Sequence, residues 1–393
     1  MTLGVRSIYQ VIDFATSGDS VTNDALGIQA QLSGLRSSKS EIWALEAPSG
    51  PIGVGMRVAP DIPHGSADDV LIAHVRDPDS PIWDFVASRV ERIVLRVHGW
   101  QRPSSRPLKS VAARRSRSNE GDSPCDLIQT FQETLGRHRI NQVAVLAVSS
   151  HTAALAAPVP RCATTVIIPP FFPYDEFVLI GQRTLTDAPS PPLAKIEELN
   201  RRSPRPADLV GPLILCIGRL EPHAEVEVLI AAMHLAATKG LEAALLTVVG
   251  RSSNPSYETA LREFARDLRI NVHFGGHCSQ THLLELMSTA AMVVSPSRSS
   301  GFGVRFVEAM AAGVPVIGRA AGALTETINS AGILLDPDDD VEVLAEAIVA
   351  VSTDTALRRR LVDQGLVRST ELTPARSAGL LHQFLDERFG RKA

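Results

Sequence analysis

Short apolar runs rich in β-branched residues recur along the chain, separated by segments whose apolar positions return every three or four residues. The first half predicts strands near 5–10 (VRSIYQ), 40–45 (SEIWAL), 70–75 (VLIAHV), 92–97 (RIVLRV), 142–148 (QVAVLAV) and 164–169 (TTVIIP). A helix candidate, VTNDALGIQAQLSGL, lies between the first two. The second half predicts strands at LILCIG, AALLTVVG, NVHFGG, AMVVSPS and VPVIGR, each followed by a helical pattern. Continuous apolar runs, rather than strict alternation, are what parallel strands covered on both faces require. Right-handed helical crossovers between such strands make a doubly wound α/β sheet. A polar, proline-rich stretch from Thr186 to Asp208 separates the halves and reads as a linker.

These patterns divide the 393 residues into a domain over 1–185, a second over 206–373 and a terminal helix over 374–393. Thr373 is placed to cap that helix and Pro374 to occupy its first turn. Leu380, Leu381, Phe384 and Leu385 fall on one face. The helix either packs on the second domain or crosses back to the first.

Composition narrows the class. Apolar residues are 44% and charged residues 21%, the balance of a globular protein. A net charge of −4 argues against general nucleic-acid binding. The four cysteines are scattered without a C-x-x-C pair, so neither a metal site nor a disulfide framework is read, and a reducing compartment fits. The N-terminus carries no basic head with a long apolar segment, and no apolar run reaches about 18 residues. The expected location is the cytoplasm.

Open parallel sheets bind ligands at the carboxyl ends of their strands. After LILCI come Gly218 and Arg219; after LLTVV come Gly250, Arg251 and Ser252; after AMVVSPS comes SSGFGVRFVEAMAAG. Gly301 and Gly303 let backbone approach a ligand, and the amides opening the next helix offer a positive end to an anion. Glu308 is placed to accept hydrogen bonds from a ribose diol, and Arg219 adds a charge for a diphosphate. Each element alone is as often a turn, a dipole partner or a surface ion pair. No G-x-G-x-x-G follows the first strand of either half, which excludes a nicotinamide dehydrogenase of the usual kind.

The ordered series G-R-x-x-P, V-V-G, V-x-F-x-G and S-P-S-x-x-x-G-F-G-x-x-x-x-E-A-M-A-x-G-x-P-V-I, from Leu213 to Leu335, resembles the donor-binding domain of glycosyltransferase family 4. More weakly, IYQVIDFATSGDSVTNDALGIQAQL is similar to the glycine loop and first helix of a bacterial subgroup. The resemblance implies the GT-B fold, two Rossmann-like domains facing a cleft, and a terminal helix that crosses back. It implies a retaining, metal-independent sugar transfer from a nucleotide-diphospho-sugar, UDP- or GDP-linked, to a saccharide, lipid-linked or other hydroxyl acceptor. The leaving phosphate would assist deprotonation of the acceptor, and no further cofactor is expected.

Residue by residue, Glu308 resembles the ribose-binding second carboxylate of the family's Glu-x7-Glu motif. Gly301, Phe302 and Gly303 resemble its phosphate- and sugar-facing loop, and Gly18 the N-terminal loop glycine. Arg219 resembles the diphosphate arginine, and His98, in RVHGW, the histidine near the transferred sugar; these two are the expected catalytic pair. Gly250, His277, Ser300 and Arg305 complete the expected donor set. Two positions depart: Ser300 stands in place of the first carboxylate and Ala224 in place of the diphosphate lysine. Arg305, Arg298 or His223 could supply the missing charge. The departures also support a rival reading, a non-catalytic relative that binds a partner glycosyltransferase. Residues 102–117 (RPSSRPLKSVAARRSR) are basic without an acidic residue, either a solvated loop or a capture surface for an anionic acceptor at the inner face of a membrane. No aromatic residue beyond Trp100 interleaves this loop, against nucleic-acid binding.

Overall fold

The computed structural model describes residues 5–15, 19–34, 39–46, 56–58, 65–76, 79–89, 91–99, 124–137, 143–156, 162–186, 211–252 and 254–390. The chain divides into two units, one holding Met1–Pro103, Glu120–Pro173 and Leu372–Ala393, the other Ser104–Asn119 and Tyr174–Glu371.

Among the described residues the sheet of the first unit has seven strands: β1 Ser7–Phe14, β2 Lys39–Glu46, β3 Met56–Val58, β4 Val70–Val75, β5 Arg92–Val97, β6 Val143–Ala147 and β7 Cys162–Ile167. They run in the order β3-β2-β1-β4-β5-β6-β7, and every pairing is parallel. The whole of β4 is buried, as a central strand covered on both faces must be. Helix α1 (Ser20–Ser33) starts where Asp19 accepts from the amides of Val21 and Thr22 at 3.0 and 3.2 Å. Gly27, a weak helix former in mid-helix, is explained by packing: a Cβ there would lie 2.2 Å from that of Phe171. Helices α2 (Ile82–Ala87), α3 (Pro124–Arg137) and α4 (Ser150–Ala156) supply further crossovers.

The described elements of the second unit begin with α5 (Tyr174–Thr186) and then alternate β8 Leu213–Ile217, α6 Val226–Ala236, β9 Leu245–Val249, α7 Pro255–Asp267, β10 Val272–Gly276, α8 Gln280–Thr289, β11 Met292–Val294, α9 Val304–Ala311, β12 Val316–Arg319, α10 Leu324–Ile328, β13 Ile333–Leu335, α11 Val341–Thr353 and α12 Thr355–Thr370. Its six strands, counted among the described residues, run parallel in the order β10-β9-β8-β11-β12-β13. Ile214, Leu229, Ile230, Leu246, Val248, Leu344 and Ile348 belong to one buried cluster that ties the sheet to α6 and α11. Cys216 of β8 lies in the same cluster, and burial pushes its thiol up to about 12.

Both sheets are doubly wound, as the apolar runs predict. The short strands β3 and β13 carry too few residues to announce themselves. The boundary read at residue 185 falls instead at Pro173, because α5 is part of the second unit, where Gly181 lets it approach the carbonyl of Ala311 closely. The 187–208 linker lies outside the described residues.

The terminal helix α13 (Pro374–Phe389) belongs to the first unit. Leu381, Phe384, Leu385 and Phe389 are buried with Ile8, Ile28, Leu32, Val70, Ile72 and Phe171. Thr373 has the extended backbone of a cap but its side chain makes no capping hydrogen bond, so packing rather than capping fixes the start. No described helix is long and apolar enough to cross a membrane. Phe384, in edge contact with Phe389, is an anchor of this helix; Phe384→Ala is expected to cost about 3–5 kcal/mol, read as a lowered urea midpoint of the first unit.

Candidate functional site

In the second unit the strand order reverses between β8 and β11, the switch point where loops at the strands' carboxyl ends diverge and leave a crevice. The loop after β11 is tightly held there. The Ser297 hydroxyl sits 3.0 Å from the carbonyls of His223 and Ser299, tying this loop to the turn after β8. Arg319, buried at the end of β12, donates from Nε to the carbonyl of Pro296 at 2.9 Å and from Nη1 to those of Asp336, Pro337 and Asp339. Ala323 N donates to Ser300 O at 2.9 Å, and Thr327 Oγ1 to Phe302 O at 2.6 Å. Gly303 is needed as glycine, because its φ is +85° and a Cβ would lie 2.5 Å from Leu324 Cδ2. It precedes α9 without a side-chain cap, and its carbonyl accepts from the amides of Phe306 and Val307 at 2.9 and 3.4 Å.

Glu308 lies one turn further along α9 with its side chain wholly buried. Oε2 accepts from Arg305 Nη1 at 2.6 Å, whereas Oε1 has no partner. Burial raises the carboxyl above its ordinary range; Arg305 works the other way, and Glu176 of α5 adds to the rise. A buried, unsatisfied acceptor of this kind costs stability and marks a place where a donor is wanted.

The remaining expected residues occupy the same end of the sheet. Arg219 is part-exposed, 3.6 Å from Glu221, whose other oxygen lies 3.4 Å from His223 Nδ1. Burial lowers the His223 imidazole, with Glu221 raising it and Arg219 lowering it further. Ala224 packs on the apolar core from the 3-10 turn Pro222–Ala224. Arg298 reaches Glu225 at 3.4 Å and Asp338 at 3.6 Å, so both arginines proposed to replace the lysine's charge already face carboxylates. Gly250 has a different necessity: its φ is +152°, its amide donates to Gly276 O at 2.8 Å, and a Cβ would fall 1.6 Å from Gly218 O. It lets three strand ends meet. His277 is exposed in the following loop.

In the first unit His98 follows β5 and belongs to a buried polar group that sequence patterns do not reveal. Its ring stacks on His74 at 5.2 Å between centroids, with Nε2 2.9 Å from His74 Nδ1. His74 Nε2 lies 3.0 Å from Gln10 Oε1. Beside them Asp24 accepts from Arg96 Nε at 2.8 Å, from Arg96 Nη2 at 3.0 Å and from Phe171 N at 2.7 Å. Arg96 also donates to Ile168 O at 2.6 Å and Pro169 O at 3.3 Å. For Gln10, His74 and Arg96 the signal, seen singly, is a polar residue inside an apolar run, SIYQVIDF, VLIAHV and RIVLRV; Asp24 and His98 carry no such signal.

Burial drives the His74 imidazole down to about 4 and His98 well below its ordinary value, each against the pull of Asp24. Asp24, which burial alone would raise, is held low chiefly by Arg96. Asp24, His74 and His98 bring metal-ligand atoms within 4.8 Å of one another. Both Asp24 oxygens are nevertheless engaged by a guanidinium, which opposes a second cation there. Gly18 and residues 102–117 lie outside the described residues.

Residues 199–367 match the family described as Glycosyl transferases group 1. The second unit carries a group 1 glycosyltransferase domain. Over 154 residues the chain is 31% identical to a GDP-mannose-dependent monoacylated alpha-(1-6)-phosphatidylinositol monomannoside mannosyltransferase of Corynebacterium glutamicum, covering 37% of this chain and 39% of that protein. A D-inositol 3-phosphate glycosyltransferase of Jonesia denitrificans is 31% identical over 158 residues, covering 38% of this chain and 37% of that one. The matched region therefore spans about two fifths of these relatives' length. Anabaena Alr3699/HepE, solved with UDP and glucose, superposes with a TM-score of 0.67 at 16% identity, covering 97% of this chain and all of that one. Likeness at that identity speaks to the fold, and the fold is GT-B.

The glycosyltransferase domain thus holds Ser300, Gly301, Phe302, Gly303, Arg305 and Glu308 on one strand-to-helix connection, with Arg219 and His223 on the turn tied to it through Ser297. Arg319, absent from the expected set, anchors that connection. The first unit's imidazoles make stability depend on pH. An imidazole whose folded value is depressed costs nothing above the unfolded value near 6.5, and stability falls as pH drops from there toward 4. Asp24 and Arg96 face His74; Asp24, His74, Arg96 and Arg76 face His98. Urea titrations at pH 7.5 and 4.5 are expected to differ by roughly 2–3 kcal/mol through His74, with His98 acting in the same direction. His74→Asn, which removes one of them, should flatten the dependence.

Proposed function

We propose that this chain is a retaining glycosyltransferase that moves a sugar from a nucleotide-diphospho-sugar to a hydroxyl acceptor. The observation that carries it is Glu308 Oε1, a fully buried carboxylate oxygen without a partner on a helix opened by glycine. A ribose diol supplies the donors this oxygen lacks, while Arg305 favours the ionised form and aims the carboxylate. The diphosphate lies against the opening amides of α9, with Arg219 adding positive charge as negative charge grows on the leaving group. His98 is the first unit's own candidate for contact with a substrate hydroxyl. The leaving phosphate assists removal of the acceptor's proton, and no further cofactor takes part. UDP- and GDP-linked sugars are the donors of first choice, in keeping with the names of the relatives and of the solved neighbour.

Ser300 in place of a carboxylate points to a donor sugar held by fewer charged contacts, and Ala224 to a diphosphate held without a lysine. The same two residues are what a nucleotide-binding, non-catalytic relative that assists a partner glycosyltransferase would show.

Glu308→Gln is expected to weaken UDP or GDP binding by about 10- to 100-fold, the worth of one hydrogen bond to a charged group. Titration calorimetry with nucleoside diphosphates and a panel of their sugars measures it. Product formation by the wild type over that panel separates a transferase from a binder without turnover. Absence of heat at millimolar nucleotide would remove the proposal.

A further inference from the structure

We infer that Gln10 and His74 are positioning residues that hold His98 in one tautomer, with its proton on Nε2 and a bare lone pair on Nδ1 for a substrate hydroxyl. The inference rests on the proposed transferase function only for what the lone pair meets; the tautomer follows from donors and acceptors alone.

The chain of polarity begins at two backbone carbonyls, which can only accept. Gln29 Nε2 donates to Ser40 O at 2.9 Å, which leaves Gln29 Oε1 as the acceptor for Ser40 Oγ at 2.7 Å. Gln10 Nε2 donates to Ala25 O at 3.1 Å and to that same Gln29 Oε1 at 3.2 Å. Both amides are thereby fixed in orientation. Gln10 Oε1 is then an acceptor, so the His74 nitrogen 3.0 Å away must carry a proton on Nε2. A second proton on His74 would place a buried cation beside Arg96, without solvent and with Asp24 already committed. His74 is therefore neutral and its Nδ1 accepts.

The partner 2.9 Å from that Nδ1 is His98 Nε2, which must donate. Asp24 Oδ2, 3.5 Å from the same nitrogen, is a second acceptor favouring the proton there. The amide of His98 donates to Val75 O at 3.0 Å, which fixes the base of the side chain. Neutral His98 then has its only free lone pair on Nδ1, on a ring that keeps a sliver of exposed surface. A histidine with both nitrogens open to water would divide between two tautomers. Here the relay from Ser40 through Gln29, Gln10 and His74 sets one of them in advance, so that a substrate hydroxyl finds an acceptor rather than a competing donor.

Two readouts test it. In ligand-free wild-type protein, long-range proton–nitrogen NMR of the imidazoles should show Nδ1 unprotonated and Nε2 protonated at both His74 and His98. A protonated His98 Nδ1 overturns the inference. In activity assays, His74→Phe and Gln10→Leu should lower kcat at least tenfold while leaving affinity for UDP and GDP within twofold, since neither touches the second unit's Glu308. His74→Asn, whose carbonyl can take the place of Nδ1 as acceptor, should recover much of the loss. Unchanged kcat in Gln10→Leu and His74→Phe, with proton–nitrogen spectra confirming that each is folded, makes the network structural only and overturns the positioning role. If the wild type itself turns over no donor, the transferase function fails on that control, and the role assigned to Nδ1 falls with it, whatever the spectra show.

Discussion

Every strand pairing described in both units is parallel, and that constraint organises the rest. A parallel sheet needs a crossover for each strand and buries both faces beneath the helices that make it. Side chains in the middle of such strands are therefore apolar or elaborately partnered, and chemistry is displaced to the loops at the carboxyl ends. The switch point between β8 and β11 collects Arg219, His223 and the Ser297–Gly303 connection for that reason. Arg319 performs the complementary task, satisfying four carbonyls from loops that would otherwise hold their shape poorly.

The first unit makes an exception to its own rule, and the exception is coherent. Gln10, His74 and Arg96 sit within strands, and each finds its partners without recourse to solvent. The bidentate pair of Asp24 and Arg96 carries the charge, while the imidazoles stay neutral because a third buried charge has no counter-ion left. Breaking such a pair leaves an uncompensated ion in the core, a penalty of about 3–5 kcal/mol. The arrangement is thus costly to alter piecemeal and unlike a generic apolar interior.

Much of this was legible in the residues. The order of apolar runs yields two doubly wound sheets, and the spaced G-F-G-x-x-x-x-E pattern yields a helix opened by glycine with Glu308 on its second turn. Where sequence reasoning stopped, the cause was three-dimensional. No spacing rule brings residue 10, residue 24, residue 74 and residue 98 together; strand order does. Gly250 looks like a ligand-facing glycine in sequence and turns out to be demanded by Gly218 and Gly276 on neighbouring strands. Arg305 and Arg298 read as spare cations in one dimension and are committed to Glu308 and Glu225 in three. Thr373 has the right identity and backbone for a cap without making the bond.

The membership of α13 in the first unit has a consequence for how the protein is made. Its core is completed by side chains that leave the ribosome some two hundred residues after Pro173, with Tyr174–Glu371 of the second unit synthesised in between. At about 5–20 residues per second, that interval lasts roughly 10–40 s. Throughout it, the seat for Leu381, Phe384 and Leu385 stays open, an apolar trough with no occupant of its own. The first unit can complete its core only once that helix has been made.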